Sequence, residues 1–521
     1  MHQEPEIPDL RIALFLGHPR SDSFCGALAM AYAEGASGAG AALRIFHLGD
    51  GEFSQDLITS SPNDQDLEPM LEQCKDAIDW ADHLVFVFPT WWATMPATLK
   101  GFLDRVLLPG FAFEVNPHAP SGYSPLLTGK SAHLITTMDS PAWVYRWMYG
   151  RPGDRAMKGG ILGFCGIKPV TSTWISRVKH LSVPEREREI EKVRQLGGQS
   201  RIKYQQLVRR RTFAAWLRAV RLQFYGMTLL SYALGALAAL RWTEATLSWP
   251  ALLSGFVALF LIEFGSVLYN EIHDRKTDHL NAHAGPFTGG SRVLVDGSLT
   301  VDQLRRIAQV ALGVAALLFI FLLGMMALQG LSPTWLACAA GFLFSAYIVG
   351  PGYTAPPFRF VYRGFGEMIV AFSHGPFMLV CGWLALGAPL DDSRPWLLSL
   401  PIFFSVLGAI TLAGIPDADA DRQADKNTLA VQLSTDGAAW VAATASGIAV
   451  VLLPILDQML MPDDGLWMKM LIPIAIHFSI LLVLISRYQK SGAGCRRIDS
   501  ILFTALSLIL WFSIVPLLEL C

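Results

Sequence analysis

The pattern of hydrophobic and polar positions divides the chain near residue 211, because nearly all long apolar stretches follow that point. Before it, short apolar runs alternate with helix-like stretches. The apolar runs occupy 11–17, 43–48, 82–88, 132–136 and 168–173. The helix-like stretches lie near 22–36, 66–80, 94–107 and 154–164. Strands that alternate with helices predict an α/β domain with a doubly wound parallel sheet, over residues 1–183.

The second part of the chain has nine apolar segments, each long enough, or nearly so, to cross a bilayer core of about 30 Å with about 20 residues. They lie near 217–240, 249–270, 306–328, 333–350, 366–387, 395–415, 437–457, 466–486 and 499–519. They predict an all-α polytopic membrane domain of about nine transmembrane helices over residues 217–521. The charged, largely basic stretch 184–216 is predicted to be a helical linker or an anchor on the membrane surface.

Composition excludes a wholly soluble or disordered chain. The 521 residues are 52% hydrophobic and 16% charged, against about 25% charged in soluble domains. The net charge of −2 gives no global basic field, so no nucleic-acid partner is predicted. Seven cysteines are scattered without a CxxC pair, so they predict neither a disulfide framework nor a zinc site.

Lysine and arginine are concentrated in one set of loops between the spans, which predicts the orientation of the membrane domain. That set holds Arg275, Lys276, Arg292, Arg305, Arg306, Arg359, Arg363, Arg422, Lys426, Arg487, Lys490, Arg496 and Arg497. The opposite set holds little more than Arg241 and Arg394. Because residues 1–216 lie on the basic side, the N-terminal domain is predicted to be cytoplasmic and the C-terminus outside. The protein is therefore predicted to be a multi-pass component of a bacterial-type inner (plasma) membrane.

Candidate chemistry in the first domain lies where strands end, since ligands bind at the carboxyl edge of parallel sheets. The loop 17–25 places small hydroxylated residues before a helix, a position suited to binding a phosphate, but it lacks GxGxxG. The third strand ends at Trp91 and Trp92, a flat apolar wall suited to an isoalloxazine ring. The fourth strand ends in the polar segment 136–139. For each loop alone, ordinary helix capping or simple packing of the tryptophans remains an alternative.

The first domain resembles the flavodoxin-like NAD(P)H:quinone oxidoreductases over roughly residues 10–180, through four segments. These are HPRSDSF at 18–24, FPTWWATMPATLKGFLDRV at 88–106, GFAFE at 110–114 and GILGFCG at 160–166. The resemblance implies a tightly held flavin, FAD or FMN, that accepts hydride from NAD(P)H and passes two electrons to a quinone. Reductases of this family are commonly dimers, so a homodimer through the flavin domain stays open.

The same resemblance implies which residues contact the flavin. His18, Ser23 and Phe24 would face its phosphate. The edge of its ring would be formed by Pro89, Thr90, Trp91, Trp92, Ala93, Thr136, Thr137, Met138 and Asp139.

Two acidic segments at the ends of spans carry the candidate chemistry of the membrane domain. Asn270, Asp274 and Asp278 follow the second span at i, i+4 and i+8, which places them on one helix face. Three aspartates in the segment 417–425 repeat that spacing after the sixth span. Like charges at this spacing repel each other, and hard oxygen ligands suit Mg²⁺, which bridges to phosphates. Two facing clusters therefore predict a Mg²⁺-bound diphosphate. For either segment taken alone, a solvated run of loop charges remains the alternative.

The membrane half resembles the UbiA superfamily of intramembrane aromatic prenyltransferases over residues 215–521. Its first segment fits the family's N-D-x-x-D-x-x-x-D motif except at Glu271, and its second fits D-x-x-x-D at Asp417 and Asp421. The stretches YTAPP at 353–357 and YRGFGE at 362–367 further resemble the menaquinone-type branch, whose acceptors are naphthalene diols.

This second resemblance implies the roles of the residues in the two segments. The catalytic residues would be Asn270, Asp274, Asp278, Asp417 and Asp421, of which the four aspartates would be Mg²⁺ ligands. The cations that bind the diphosphate of the substrate would be Arg292, Arg363 and Lys426.

Together the two halves predict a bifunctional enzyme. The flavin domain would reduce a naphthoquinone-like quinone with NAD(P)H, and the membrane domain would transfer a prenyl group from a polyprenyl diphosphate to the resulting hydroquinone, making a menaquinone-like lipid. Three alternatives stay open: a membrane-anchored quinone reductase without transferase activity, a transporter with a flavodoxin-like regulatory domain, and a prenyltransferase whose flavin half acts on a different substrate.

Overall fold

The chain divides into two units, Met1–Arg210 and Arg211–Cys521. The computed structural model describes residues 10–520 apart from 57, 60–63, 117–121, 282–289, 461–464 and 491–497. Arg496 and Arg497, two of the basic residues used to predict orientation, lie outside the described residues.

The first unit is built on a parallel sheet. Its described strands are β1 (Arg11–Leu16), β2 (Ala42–His47), β3 (His83–Pro89), β4 (Phe113–Val115), β5 (Tyr123–Pro125), β6 (Ser131–Thr137) and β7 (Val170–Ile175). Five of them pair in parallel in the order β2–β1–β3–β6–β7, and β4 and β5 form a separate antiparallel pair. This is the strand order of flavodoxin-like sheets, in which the order reverses between β1 and β3. The predicted doubly wound parallel sheet is confirmed.

Helices cover both faces of this sheet. They are α1 (Phe24–Gly38), α2 (Pro69–Trp80), α3 (Ala97–Val106), the short α4 (Pro152–Arg155) and α5 (Val183–Gly198). Successive residues of β1 point to opposite faces. Phe15 stacks on Phe86 and packs at a tilt against Phe102, each with ring centroids 5.2 Å apart, in the core shared with α2 and α3. Leu14 and Leu16 enter the core on the other face, shared with α1 and α5.

The stretch 184–216, assigned to a linker from the sequence, begins with α5, which packs closely on α1. A Cβ atom on Gly35 would lie 1.9 Å from the carbonyl oxygen of Arg194, and one on Gly197 would lie 2.1 Å from that of Tyr32. Only residues without a side chain permit this approach. α5 is therefore part of the helical layer of the first unit, and α6 (Ser200–Val220) follows it.

The predicted helix 154–164 differs from the structure. Only α4 and a wide helical turn over Ala156–Ile161 form there. Gly159, Gly160 and Gly163 occupy this stretch, and glycine inside a helix is unfavourable because it loses the most conformational freedom on folding. The apolar character of the stretch is used in packing, since Met157 and Leu162 are fully buried.

The second unit is helical. Its helices are α7 (Tyr225–Trp242), α8 (Trp249–Leu280), α9 (Val301–Leu328), α10 (Pro333–Gly352), α11 (Gly366–Phe372), α12 (Met378–Leu384), α13 (Arg394–Ala413), α14 (Ala418–Gln423), α15 (Leu429–Gln432), α16 (Ser434–Leu460), α17 (Leu466–Lys490) and α18 (Asp499–Leu520). The turn Ser373–Phe377 joins α11 and α12 into one stretch, Gly366–Leu384. Among the described residues, eight helices are long and apolar enough to span a membrane, or nine if α6 and α7, which meet at a bend of 49°, together form one span. The predicted count of about nine is confirmed.

Two features of these helices are a close backbone contact between α7 and α12 and the unusual length of α8. Gly235 of α7 and Gly382 of α12 pack reciprocally: an added Cβ would lie 1.8 Å from the carbonyl oxygen of Leu379 and 1.9 Å from that of Tyr232, the close backbone approach that small residues allow in membranes. α8 has 32 residues and is about 48 Å long, longer than a bilayer core of about 30 Å. Its polar C-terminal turns therefore extend beyond the apolar span.

Candidate functional site

The two acidic segments line one cavity of about 180 Å³ in the second unit. The last turns of α8 contribute Asn270, Asp274 and Asp278 to its wall, and the segment that follows α13 contributes Asp417 and Asp421. Because the three α8 residues recur at intervals of four, they share the helix face that points to the cavity. The structure thus brings together the five residues that sequence analysis assigned to catalysis.

Lys426 connects the two acidic segments. Its Nζ lies 2.9 Å from Oδ1 of Asp274 and 3.6 Å from Oδ1 of Asp421, and only 8% of its side chain is exposed. The backbone makes this possible, because Asp425 adopts φ +59° and the N–H of Lys426 donates to the carbonyl oxygen of Asp421 at 2.9 Å. The turn sends the lysine side chain back toward α8.

The electrostatics of the cavity follow from burial and from this ion pair. Burial is the main cause that raises the pKa of Asp421 to about 6; the carboxylates of Asp417 and Asp274 raise it further, and Lys426 opposes them. For Lys426, burial works to lower the pKa, but the carboxylates of Asp274 and Asp421 outweigh it and raise the pKa above its ordinary value. The lysine therefore stays charged in the cavity.

The other two predicted cations lie elsewhere. Arg292 Nη1 donates to the carbonyl oxygens of Asp278 and Asn281 at 3.0 and 3.1 Å, so it caps the C-terminus of α8. Arg363 is exposed and donates to the carbonyl oxygen of Pro357 at 3.1 Å. Neither side chain lines the cavity, whose described lining includes two basic residues, Lys426 and Arg221.

Several polar residues that the sequence analysis did not single out hold the acidic residues in place. Asn281 Nδ2 donates to Asp417 Oδ1 at 2.7 Å and so joins the end of α8 to the second segment. Thr354 Oγ1 donates to Asn270 Oδ1 at 2.7 Å. The cavity is further lined by Glu271, Tyr353, Glu367 and Thr428. Asn281 could have been found from the sequence, because it lies three residues after Asp278 and residues at that spacing are neighbours on a helix surface.

The donor set of the cavity fits Mg²⁺. Within the described ranges, no three acidic, histidine or cysteine side chains already converge on one point as a metal cage. The aspartates are nevertheless hard oxygen donors on both sides of one cavity. Mg²⁺ keeps several waters and is commonly held by one or two carboxylates together with substrate phosphates, so it needs no complete protein cage.

The predicted flavin residues of the first unit lie at the carboxyl edge of its sheet. His18 follows β1, Ser23 caps α1, and its hydroxyl accepts a hydrogen bond from the N–H of Gly26 at 3.1 Å. The loop after β3 is tied to the end of β6, because the N–H of Thr90 donates to the carbonyl oxygen of Thr137 at 2.7 Å. Phe24 begins α1, and Pro89 ends β3.

The tryptophans at this edge are open rather than packed. Trp92 is 99% exposed and Trp91 is 46% exposed. Trp92 and Ala93 both adopt positive φ, +50° and +63°, and the carbonyl oxygen of Ala93 accepts from the N–H of Gly153 at 3.1 Å. The loop is thus constrained by its backbone, and it places the apolar ring of Trp92 in solvent.

The segment 136–139 forms the adjoining part of the edge. Thr136, Thr137 and Met138 are buried, so they contribute mainly backbone to the surface. Asp139 is half exposed, with Oδ2 2.9 Å from Lys179 Nζ. Hydrogen bonding to Lys179 is the main cause that lowers the pKa of Asp139.

Comparison with known proteins follows the division into two units. The profile of a flavodoxin-like fold matches residues 11–196, and that of the UbiA prenyltransferase family matches residues 228–512, more than half of the chain. Over 93 residues the chain is 42% identical to the ribosyldihydronicotinamide dehydrogenase (quinone) of Homo sapiens, covering 17% of this chain and 38% of that protein. The chain therefore spans less than half the length of that relative.

Two solved structures are similar to the separate units. A UbiA homologue from Archaeoglobus fulgidus, bound to DMAPP and Mg²⁺, is 18% identical and covers 58% of this chain and 98% of its own, with a TM-score of 0.42. An NAD(P)H:quinone oxidoreductase from Methanothermobacter marburgensis is 22% identical and covers 37% of this chain and 97% of its own, with a TM-score of 0.33. The chain belongs to the UbiA prenyltransferase family, and in it a UbiA domain follows a flavodoxin-like domain similar to quinone reductases.

Proposed function

We propose that the chain is a bifunctional quinone-modifying enzyme. Its membrane domain transfers a prenyl group from a polyprenyl diphosphate to an aromatic hydroquinone, and its flavin domain makes that hydroquinone from a quinone with NAD(P)H. The observation that carries the proposal is the single cavity lined by Asp274, Asp278, Asp417 and Asp421, with Lys426 between the two acidic segments. A transporter or a simple membrane anchor has no need of this arrangement.

In the transferase site, the four aspartates would hold Mg²⁺. Bound there, Mg²⁺ supplies Lewis-acid stabilisation of the departing diphosphate. Lys426, which stays charged, adds a fixed positive charge beside the same leaving group. Asn281 keeps Asp417 oriented toward the cavity through its 2.7 Å hydrogen bond.

The apolar wall of the cavity is suited to the rest of the reaction. Val267 of α8 lines it beside the polar residues, as do Ile410, Ala413 and Gly414 at the end of α13. Departure of the diphosphate leaves an allylic cation, and an apolar wall excludes the water that would otherwise trap it. The ring carbon of the acceptor then forms the new carbon–carbon bond, and the released diphosphate accepts the proton that the ring loses.

In the first domain, the edge formed by the loops after β1, β3 and β6 is suited to a flavin, FAD or FMN. When bound, the flavin supplies the two-electron chemistry between NAD(P)H and a quinone. The exposed ring of Trp92 offers a flat apolar surface for an aromatic ring. The loop that carries His18 and Ser23 lies at the start of α1, where a helix N-terminus favours phosphate.

The two activities fit each other chemically. A quinone ring is electron-poor and a bad nucleophile, whereas its hydroquinone is electron-rich. Reduction by the first domain would therefore create the acceptor that the membrane domain needs, and the covalent link would raise its local concentration to about the millimolar range. We propose a naphthoquinone-like acceptor and a menaquinone-like product, which rest on the YTAPP and YRGFGE stretches.

The location we propose is a bacterial-type inner membrane with the N-terminal domain in the cytoplasm. The loops 243–248, 329–332, 385–393 and 461–465 contain no lysine or arginine, with Arg241 and Arg394 at the adjoining helix ends, whereas the opposite loops contain Arg292, Arg359, Arg363, Arg422, Lys426, Arg496 and Arg497. Positive charge is retained on the cytoplasmic side. The acidic segments then face the compartment that contains NAD(P)H and prenyl diphosphates.

The proposal is tested with the full chain in nanodiscs, supplied with Mg²⁺, NADPH, menadione and geranylgeranyl diphosphate, and no other reductant. We expect prenylated product only when all components are present. Asp274→Asn should abolish transfer and leave NADPH oxidation intact. A membrane-anchored reductase without transferase activity would make no prenylated product in the first place. Equal prenylation with and without NADPH would refute the coupling, and full transfer by Asp274→Asn would refute the site.

A further inference from the structure

A second polar group lies within the membrane unit, outside the lining of the cavity. Glu263 of α8 has Oε1 3.3 Å from Nε2 of His374, which lies in the turn between α11 and α12, and its Oε2 accepts a hydrogen bond from Thr228 Oγ1 at 2.7 Å. Both ionisable residues lie inside apolar spans, Trp249–Leu280 and Gly366–Leu384. Because an ionisable side chain inside a span is costly, such a pair indicates a functional site.

The hydrogen bonds of His374 require a proton in this pair. Nδ1 lies 2.9 Å from the carbonyl oxygen of Val370, and a carbonyl only accepts, so Nδ1 carries a hydrogen. Nε2 faces a carboxylate oxygen, which also only accepts when ionised. The contact therefore holds one proton between Nε2 and Oε1, as an imidazolium with a carboxylate or as an imidazole with a carboxylic acid.

The group has unused hydrogen-bonding capacity. Among the described residues, Glu263 is hydrogen-bonded to Thr228 and His374, whereas an ionised carboxylate accepts about four hydrogen bonds. Tyr225 is 6% exposed, and its hydroxyl has no hydrogen-bond partner among the described residues. Its ring packs on Phe260 of α8, with centroids 4.6 Å apart, one turn before Glu263. This buried, unpartnered hydroxyl lies on α7 one turn before Thr228, the hydrogen-bond partner of Glu263, and points to a polar ligand.

The pair lies in line with the cavity. Glu263, Val267, Asn270 and Asp274 follow one another at spacings of four, three and four, so they share one face of α8. Val267 and Asn270 line the cavity. Glu263 is seven residues before Asn270, about 10 Å along the helix axis, and lies toward the apolar middle of the span.

We propose that Glu263 and His374 bind a ring hydroxyl of the aromatic acceptor. The inference rests on the proposed transferase function and names where its second substrate is held. The reacting carbon must meet the first carbon of the prenyl group beside the diphosphate, so the far edge of the ring extends along α8 from the cavity toward Glu263. There its hydroxyl donates to the carboxylate, which increases the electron density of the ring that attacks.

The test is Glu263→Gln in the full chain, which keeps the shape and one acceptor oxygen but removes the charge. We expect the KM for 1,4-naphthalenediol to rise about 10- to 100-fold, as for loss of a hydrogen bond to a charged group. The KM for geranylgeranyl diphosphate and the Mg²⁺ requirement should be unchanged. Glu263→Asp should recover part of the acceptor affinity. Unchanged acceptor KM, or an equal loss for both substrates, would overturn the inference.

Direct binding separates this inference from the proposed function. 1,4-Naphthalenediol is titrated anaerobically into wild-type chain and variants in nanodiscs by calorimetry. Weaker binding by Glu263→Gln supports the site even if the wild type transfers no prenyl group, a result that would overturn the proposed function alone. Equal binding by both chains, or none by the wild type, overturns the inference. Asp457→Asn, which alters a buried carboxylate of α16, is the matched control and should change neither measurement.

Discussion

Lys426 Nζ lies 2.9 Å from Asp274 Oδ1, so a cation from the segment after α13 neutralises a carboxylate of α8. Both side chains are largely buried, 8% and 19% exposed. In such surroundings a charge without its partner is costly, whereas the paired charges are tolerated. The pair therefore holds the two acidic segments against each other before any substrate binds.

Lys426→Met tests this relationship, because it keeps the apolar stem and removes the charge. Removing one group that stabilises charge developing in the transition state commonly lowers kcat about 100- to 1,000-fold, so we expect prenyl transfer to fall about 100-fold or more. Quinone reduction by the first unit should be unchanged, and the Tm of the membrane unit serves as the control for its folding. Transfer at half of the wild-type rate would contradict a role for the pair.

Asn281→Ala tests whether the contact between Asn281 Nδ2 and Asp417 Oδ1, 2.7 Å long, positions a metal ligand. Loss of a group that orients a ligand commonly lowers metal affinity 10- to 100-fold. We expect the Mg²⁺ concentration for half-maximal transfer to rise about 10-fold, with the maximal rate largely retained. His279→Ala alters an exposed residue at the same helix end and should leave the Mg²⁺ dependence unchanged.

The parts of the transferase site that follow helix periodicity could be predicted, and the parts that depend on loop geometry could not. The spacing of Asn270, Asp274 and Asp278 fixes them on one face of α8 because they belong to one helix. Lys426 reaches Asp274 only because Asp425 takes φ +59°, and no periodic pattern encodes that turn. Arg292, at φ +58°, instead caps the carbonyls at the end of α8.

The first unit gives the same contrast. Its inner strands β1, β3 and β6 are continuous apolar runs because they are buried on both faces, whereas the edge strands β2 and β7 are exposed or half-buried over most of their length. The packing of α5 was missed, since its first turns are dominated by alternating glutamate and arginine, as on a solvated helix. Its contact with α1 depends on Val193 and Gly197, the two buried positions of the helix, and two small residues make a weak sequence signal.

The thiol of Cys25 gives a prediction of pH dependence. It lies at the start of α1, where the helix dipole favours a thiolate, but burial is the larger effect and raises its pKa to about 11. Since the folded pKa exceeds the unfolded one, the thiol stabilises the fold fully below pH 9, and this contribution is lost as the pH rises from 9 toward 11. At pH 9 only about 1% of Cys25 would be thiolate.

Alkylation measures this directly. Iodoacetamide at pH 9, followed by mass spectrometry of the Cys25 peptide, should label the native chain far more slowly than the urea-unfolded chain. Cys165, whose pKa burial also raises to about 11, should behave in the same way. Rapid labelling of Cys25 in the native chain at pH 8 would show that the dipole outweighs burial.

Trp92 offers a way to separate loop strain from ligand binding. The side chain is 99% exposed, so it buries no surface, and its φ of +50° is unfavourable for any residue with a Cβ atom. Trp92→Gly and Trp92→Ala both remove the ring, but only glycine relieves the backbone. We expect the unfolding free energy of Trp92→Gly to exceed that of Trp92→Ala by about 1 kcal/mol.

If the ring of Trp92 forms the wall of the flavin site, both substitutions should weaken binding equally, whatever they do to stability. A lost aromatic contact is worth about 0.5–1.5 kcal/mol beyond its buried area, so we expect the flavin Kd or the quinone KM to rise about 10-fold. Trp147→Ala, which removes another exposed tryptophan with no assigned contact to flavin, is the matched control. If the substitutions change the free energy of unfolding but leave the flavin Kd and the quinone KM unchanged, Trp92 is not part of the flavin site. Its ring would then contribute neither to packing of the fold nor to ligand binding.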